Sequence, residues 1–234
     1  STDHKDGSAF VSLTGWLRAA DIFHVTPKGE VHALGLVSLP PSYDPARYEE
    51  RPLIATARDG TKVPYTIIAR KGVLGRGPVP TLLEAYGSYG LPYLPSFRPS
   101  LIPFLDRGGA YVVANVRGGG EYGKSWHYAG RGPTKANTWQ DAIDVAETLV
   151  KDGVTSTKKM TLIGTSAGGI MVGQAVNARP DLFAGAIANV GFMNPIRYVS
   201  EQNMTDIPEW GGPITDAKTF KTRSEEHTSE LQSH

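Results

Sequence analysis

The chain has 234 residues, 40% apolar and 20% charged, with 27 glycines and 17 prolines, a balance that can bury a core and does not fit an intrinsically disordered segment. No run approaches the roughly 18 consecutive apolar residues of a membrane span. Its 24 basic and 23 acidic residues create no field for nucleic acid or an anionic membrane, and the lack of cysteine excludes a disulfide framework or a thiolate zinc site.

In chain order, residues 1–45 hold short β-rich stretches, Ala9 to Leu13, Asp21 to Val25 and Glu30 to Val37. They are separated by turns such as Pro27-Lys28-Gly29 and closed by Pro40-Pro41, which reads as the end of an all-β unit. From Arg51 the character changes, with a domain boundary expected near residues 41 to 50. Leu53 to Ala57 and Val63 to Ala69 flank Arg58-Asp59-Gly60 and predict a hairpin leading into a second domain over 46–222. Beyond it, buried-strand candidates Val79 to Ala85, Tyr111 to Val116, Met160 to Ile163 and Ala184 to Val190 alternate with helical patterns, predicting an α/β domain built on a mostly parallel sheet. The clearest helix runs from Asn137 to Lys151, with Trp139, Ala142, Ile143, Ala146, Leu149 and Val150 on one face. Asn137 is expected to cap it, with Gln140 reaching back to the cap.

The last stretch, Arg223 to His234, reads RSEEHTSELQSH and resembles the in-frame translation of a common sequencing adapter. It is read as a non-native tail and set aside from the fold, so the natural product is expected to continue beyond Thr222. No leader precedes Ser1, and the natural N-terminus, with any signal choosing between cytoplasm and periplasm, is expected to lie outside the sequence.

The chemistry concentrates between Lys158 and Pro180, where a strand, a sharp turn and a helix are predicted with Ser166 at the turn inside Gly164-Thr165-Ser166-Ala167-Gly168. This is G-x-S-x-G in the context of a nucleophile elbow. Such a turn needs glycine two residues before and after the serine, because strand end and helix start approach too closely for a Cβ. It lifts the hydroxyl clear of the sheet and aims the Ala167 N–H at negative charge developing in an acyl-transfer transition state.

Upstream lie LLEAYGSYG, Leu82 to Gly90, and ANVRGGGEYGKSWHYAG, Ala114 to Gly130; downstream lies RPDLFAGAIANVGFMN, Arg179 to Asn194. Together with GTSAGG this set resembles the prolyl oligopeptidase family of serine peptidases. The resemblance implies part of an α/β-hydrolase catalytic domain preceded by the end of a β-propeller that admits short peptides. It implies Ser166 as nucleophile, with the Tyr86 hydroxyl joining the Ala167 amide as oxyanion donors, and Tyr89, Phe192 and Trp210 lining the primary specificity pocket. No cofactor is implied. Where members proper carry a tryptophan that stacks on the substrate proline, this chain has Asp206. In a related branch acidic residues of this region hold a basic side chain, a role open to Asp206 or Glu209.

A serine hydroxyl needs a histidine to take its proton, and on this fold the chain order is Ser, then Asp or Glu, then His. The only histidines after Ser166 are His227 and His234, both in the tail; His127 precedes the nucleophile and is read as structural. Asp181, Asp206 and Asp216 follow too closely to be the carboxylate of the triad. The expectation is a peptidase parent acting on short peptides through an acyl-enzyme, and a chain that is inactive by itself. An esterase or acyl-peptide hydrolase on the same fold, or a noncatalytic scaffold, are the alternatives.

Gly118-Gly119-Gly120-Glu121-Tyr122-Gly123 also satisfies G-x-G-x-x-G, with Asp141 downstream. A dinucleotide site is set aside because Lys124 to Pro133 is expected not to form the helix it requires. His4, His24, His32 and His127 lack ligand spacing, so no metal is expected. No nucleic-acid or membrane partner is expected, and the sequence says nothing of oligomeric state.

Overall fold

The computed structural model describes residues 6–36, 39, 43–194 and 208–210. Asp206, Asp216, His227, His234 and the adapter-like tail lie outside the described residues.

The β-rich start forms a three-stranded antiparallel sheet, β1 (Ala9–Leu13), β2 (Asp21–Val25) and β3 (Val31–Ala33), in that spatial order. The third strand is shorter than the expected Glu30 to Val37. Turn residues bound it on one side, where the Thr26 and Glu30 backbones close a turn around Gly29, and Gly35 with φ 59° follows on the other.

The larger sheet has six strands in the order β4-β5-β7-β6-β8-β9: β4 (Tyr48–Thr56), β5 (Lys62–Arg70), β6 (Thr81–Ala85), β7 (Ala110–Ala114), β8 (Met160–Thr165) and β9 (Gly185–Asn189). β4 pairs antiparallel with β5 and β5 with β7, while β7, β6, β8 and β9 run parallel. Alternation sorts side chains between the two faces. Ile67, Leu83, Val112 and Leu162 point into one core with Ile143, Leu149 and Val172. Ile68, Tyr111 and Val113 point into the other with Leu105 and, from the β-rich start, Trp16 and Leu17. The helices α3 (Ala136–Lys151) and α4 (Gly168–Ala178) supply the first core and the short α1 (Ile102–Asp106) the second. With both faces covered, a near-continuous apolar strand such as Ala-Tyr-Val-Val-Ala in β7 is buried throughout.

Two local expectations are corrected. α3 begins at Ala136, its cap position is Lys135 in helical geometry, and no side chain caps it. The chain enters α3 from a 3₁₀ turn at Gly132–Thr134, with the Lys135 N–H donating to the Gly132 carbonyl and the Thr138 N–H to the Lys135 carbonyl; Asn137 Nδ2 instead donates to the Ala129 carbonyl at 2.8 Å, and Gln140 Nε2 donates to Asp144. The stretch after Gly123 does form a helix, α2 (Lys124–Tyr128), of five residues. Trp126 anchors it, with its ring N–H donated to the Val116 carbonyl at 3.1 Å.

Arg117, just beyond β7, ties three elements together. The residue is 6% exposed; its guanidinium meets Asp141 of α3 at 2.5 Å and Asp59 of the β4–β5 turn at 2.6 Å, while the Arg117 N–H donates to Asp141 Oδ2 at 2.9 Å. Burial raises the Asp141 carboxyl above its usual range, a push that Arg117 only partly offsets. Asp59, more exposed, is held down at about 2 by the Thr61 amide and hydroxyl and by Arg117. A carboxyl held low in the folded state adds stability that is complete above its unfolded value, about 3.9, and is lost as pH falls through the folded value. Asp59→Asn should therefore lower stability near neutral pH and flatten the loss of stability between about pH 4 and about pH 2. Denaturant titrations across that range check this; an unchanged slope would contradict it.

Candidate active site

The four parallel strands end on one edge, and the residues singled out in the sequence follow those ends: Tyr86 to Gly90 after β6, Val116 to Gly120 after β7, Ser166 after β8, and Val190 to Phe192 after β9. In an open α/β sheet this edge is where ligands bind. The non-glycine residues with positive φ among the described residues are Tyr89 (59°), Ser166 (54°) and Val190 (43°), and each lies within a few positions of such a strand end. Residues forced into this region cost on the order of 1–3 kcal/mol each and persist where surrounding contacts over-determine them.

At Ser166 those contacts are explicit. Its N–H donates to the Asn189 carbonyl at 3.0 Å, and its own carbonyl accepts from Gly169 N–H at 2.9 Å and from Phe192 N–H at 2.7 Å. β9 and the chain after it thus clamp the turn. The residue is exposed although Ala167 to Val172 are all buried, so the hydroxyl stands clear of the sheet as the elbow demands. The Ala167 N–H, at the start of α4, donates to no acceptor among the described residues.

The glycine requirement resolves differently at its two positions. A Cβ on Gly164 would sit 2.3 Å from the Gly168 carbonyl oxygen and 2.8 Å from Val172 Cγ2, which is the expected strand-to-helix approach. A Cβ on Gly168 would instead press on β6, 3.2 Å from the Ala85 carbonyl oxygen and 3.5 Å from Tyr86 Cδ2. The helix start therefore lies directly beside Tyr86. Tyr86 packs with Ala167, Ile170, Tyr89, Phe192 and Trp210 in one cluster.

The three aromatics expected to line a pocket do come together. Trp210 is fully buried, meets Tyr89 edge-on with ring centroids 5.9 Å apart, and meets Phe192 at 5.4 Å. Its indole N–H is buried with no hydrogen-bond partner among the described residues.

Glu209 is not free to receive a basic substrate side chain. It is 2% exposed, and Oε1 accepts from the Tyr89 N–H at 2.9 Å and lies 3.5 Å from Lys135 Nζ, while Oε2 meets His127 Nε2 at 2.7 Å. This also accounts for His127, which is engaged with Glu209 rather than with the serine. No histidine or carboxylate among the described residues hydrogen-bonds the Ser166 hydroxyl.

Lys135, buried at 2% exposure, was not singled out in the sequence. A lysine next to a predicted helix start ordinarily lies in solvent, and no local pattern marks it for burial. Gly164→Ala should displace the elbow and cost about 1–3 kcal/mol of stability through overpacking. Gly15→Ala, whose Cβ would meet nothing closer than 3.8 Å, should leave stability near the parent value. Thermal melts of the two variants check this; equal melting temperatures would contradict the contact.

The model of the prolyl oligopeptidase family matches residues 95–231, more than half of the chain. A prolyl endopeptidase of Elizabethkingia meningoseptica is 37% identical over 192 residues, covering 81% of this chain and 27% of that protein. Protease 2 of Moraxella lacunata is 36% identical over 203 residues, covering 84% and 29%. Among solved structures, oligopeptidase B of Trypanosoma brucei with covalently bound antipain superposes with a TM-score of 0.86 at 32% identity, over 94% of this chain and 32% of that one. The chain spans less than a third of the length of these relatives. Its mixed sheet covered by helices on both faces is part of an α/β-hydrolase fold, and the chain belongs to the prolyl oligopeptidase family.

Proposed function

We propose that this chain is the nucleophile-bearing part of a serine peptidase that cleaves short peptides through an acyl-enzyme on Ser166. The observation that carries this reading is the strained, exposed Ser166 at an elbow whose helix start, Ala167-Gly168, lies against Tyr86. In the proposed reaction Ser166 Oγ bonds to the scissile carbonyl carbon as its proton passes to a histidine base. The carbonyl electron pair moves onto oxygen, where the Ala167 N–H and the Tyr86 hydroxyl stabilise it. Collapse expels the amine, which takes the proton back from the histidine, and water repeats the sequence on the ester. The base and its carboxylate are proposed to be supplied by parts of the protein other than this chain, so the chain by itself should be inactive.

The side chain before the scissile bond should be apolar and ring-sized. The half-buried rings of Tyr89 and Phe192 offer apolar surface backed by the buried Trp210, the Glu209 carboxylate is occupied, and the Lys135 ammonium sits 5.0 Å from the Trp210 ring centroid, where it opposes a cationic side chain. The name prolyl endopeptidase carried by one relative agrees with this preference.

The test compares the full-length protein carrying this sequence with the isolated chain on fluorogenic peptides bearing proline, phenylalanine or arginine before the cleaved bond. The full-length protein should cleave after proline best and after arginine least, and Ser166→Ala should abolish turnover. The isolated chain should show at most the roughly 10³–10⁴-fold acceleration over water that binding and an oxyanion hole leave without a triad. Efficient cleavage by the isolated chain, or a preference for arginine, would contradict the reading. Turnover of p-nitrophenyl esters with none of peptides would favour an esterase.

A further inference from the structure

We infer that Lys135 and Glu209 are positioning residues that set the oxyanion donor Tyr86 by locking the turn that follows it, an inference resting on the proposed role of Tyr86. The turn Tyr86-Gly87-Ser88-Tyr89-Gly90 contains three left-handed residues, Gly87 (φ 66°), Tyr89 (59°) and Gly90 (64°). Such a backbone does not hold its shape through its own preferences, least of all at a tyrosine.

Its polar groups are tied down by one buried ion pair. Lys135 Nζ donates to the Gly87 carbonyl at 2.6 Å and to Ser88 Oγ at 2.8 Å. Glu209 Oε1 accepts the Tyr89 N–H at 2.9 Å and faces Lys135 Nζ at 3.5 Å. The pair therefore grips the turn at three consecutive residues from two distant parts of the chain, and both side chains are 2% exposed.

The space beneath the turn is closed as well: a Cβ on Gly87 would lie 2.4 Å from Thr138 Cγ2 and 2.7 Å from Val116 Cγ2. The turn is thus pressed onto α3 and the end of β7 and clamped from one side by the ion pair. Glu209 also reaches His127 Nε2 at 2.7 Å, and the His127 ring packs under Gly90, where a Cβ would meet it at 3.2 Å. The same carboxylate therefore braces the far end of the turn.

A buried pair of this kind is weak as a source of stability, because desolvating both charges offsets much of their attraction. Its directional bonds fix geometry instead. For an oxyanion donor geometry is decisive, since a misplacement of about 1 Å can cost about 10²-fold in rate.

The experiment uses the full-length protein with Lys135→Met, Glu209→Gln, Tyr86→Phe and the double variant Tyr86→Phe/Lys135→Met. Leu149→Ala, in the core of α3, serves as a destabilised control. Amide hydrogen exchange over residues 86–90 reports the turn without requiring activity, and peptide hydrolysis reports kcat and KM separately.

Lys135→Met should speed exchange in that segment while leaving β8 protected, and should lower kcat by about 10²-fold with KM little changed. Glu209→Gln keeps a carbonyl acceptor for the Tyr89 N–H and should lose less. The double variant should be no slower than Tyr86→Phe alone, since a displaced donor and an absent donor are equivalent. Leu149→Ala should lower the melting temperature without the loss in kcat.

Unchanged exchange in 86–90 would overturn the inference whatever the activity. Losses that multiply in the double variant, or a kcat loss in Leu149→Ala as large as in Lys135→Met, would overturn it too, because the pair would then act apart from Tyr86 or through general stability. A parent enzyme that cleaves no peptide would contradict the proposed function instead, and the exchange would still decide whether the pair holds the turn.

Discussion

The site depends on one backbone constraint: the chain must pass from β8 into α4 through a left-handed serine. Only the missing Cβ of Gly164, 2.3 Å from the Gly168 carbonyl, permits the approach. The Asn189 carbonyl and the Phe192 N–H then hold Ser166 where its own conformational preference would not. Every other feature of the edge is arranged around this point. The parallel β6, β8 and β9 end on one edge, so Tyr86, Ser166 and Phe192 all follow strand ends on the same side of the sheet. The start of α4 lies against Tyr86, and Tyr89, Phe192 and Trp210 pack with Ala167 and Ile170.

Around that constraint the molecule separates two uses of buried charge. Arg117 with Asp141 and Asp59 joins the hairpin, α3 and the loop after β7, and acts on the frame. Lys135 with Glu209 and His127 lies under the turn that carries Tyr86 and Tyr89, and acts on the site. On the opposite face of the sheet, Glu84 is buried with Arg98, Tyr93 and Tyr111, where the β-rich start brings Trp16 against Tyr93 and Tyr111. All three groups join residues far apart in sequence, so the loops bearing the chemistry are fixed by tertiary contacts rather than by local propensity.

That division explains what could be read from the residues alone. The elbow was legible because its demands are local: a glycine, a serine two positions on, a strand before and a helix after. The mostly parallel sheet was legible because strands buried on both faces read as apolar runs. The Asn137 cap failed for a reason equally local but unmarked in the pattern, since a 3₁₀ turn delivers the chain into α3 and frees the asparagine for the Ala129 carbonyl. The one-turn helix after Gly123 escaped notice because a single buried tryptophan anchors it, too little for a periodic signal. The occupation of Glu209 was invisible for a deeper reason. Its partners Tyr89, His127 and Lys135 lie 74 to 120 positions away, and a carboxylate beside a pocket tryptophan reads equally well as a ligand for a cation.

The most direct measurement of the central claim is the structure of the full-length protein after reaction with a fluorophosphonate. The account predicts a single adduct on Ser166 Oγ, with one phosphoryl oxygen at roughly 2.7–3.1 Å from both the Ala167 amide nitrogen and the Tyr86 hydroxyl, the distances expected of an oxyanion hole. An adduct on another residue, or a phosphoryl oxygen turned away from both donors, would contradict it.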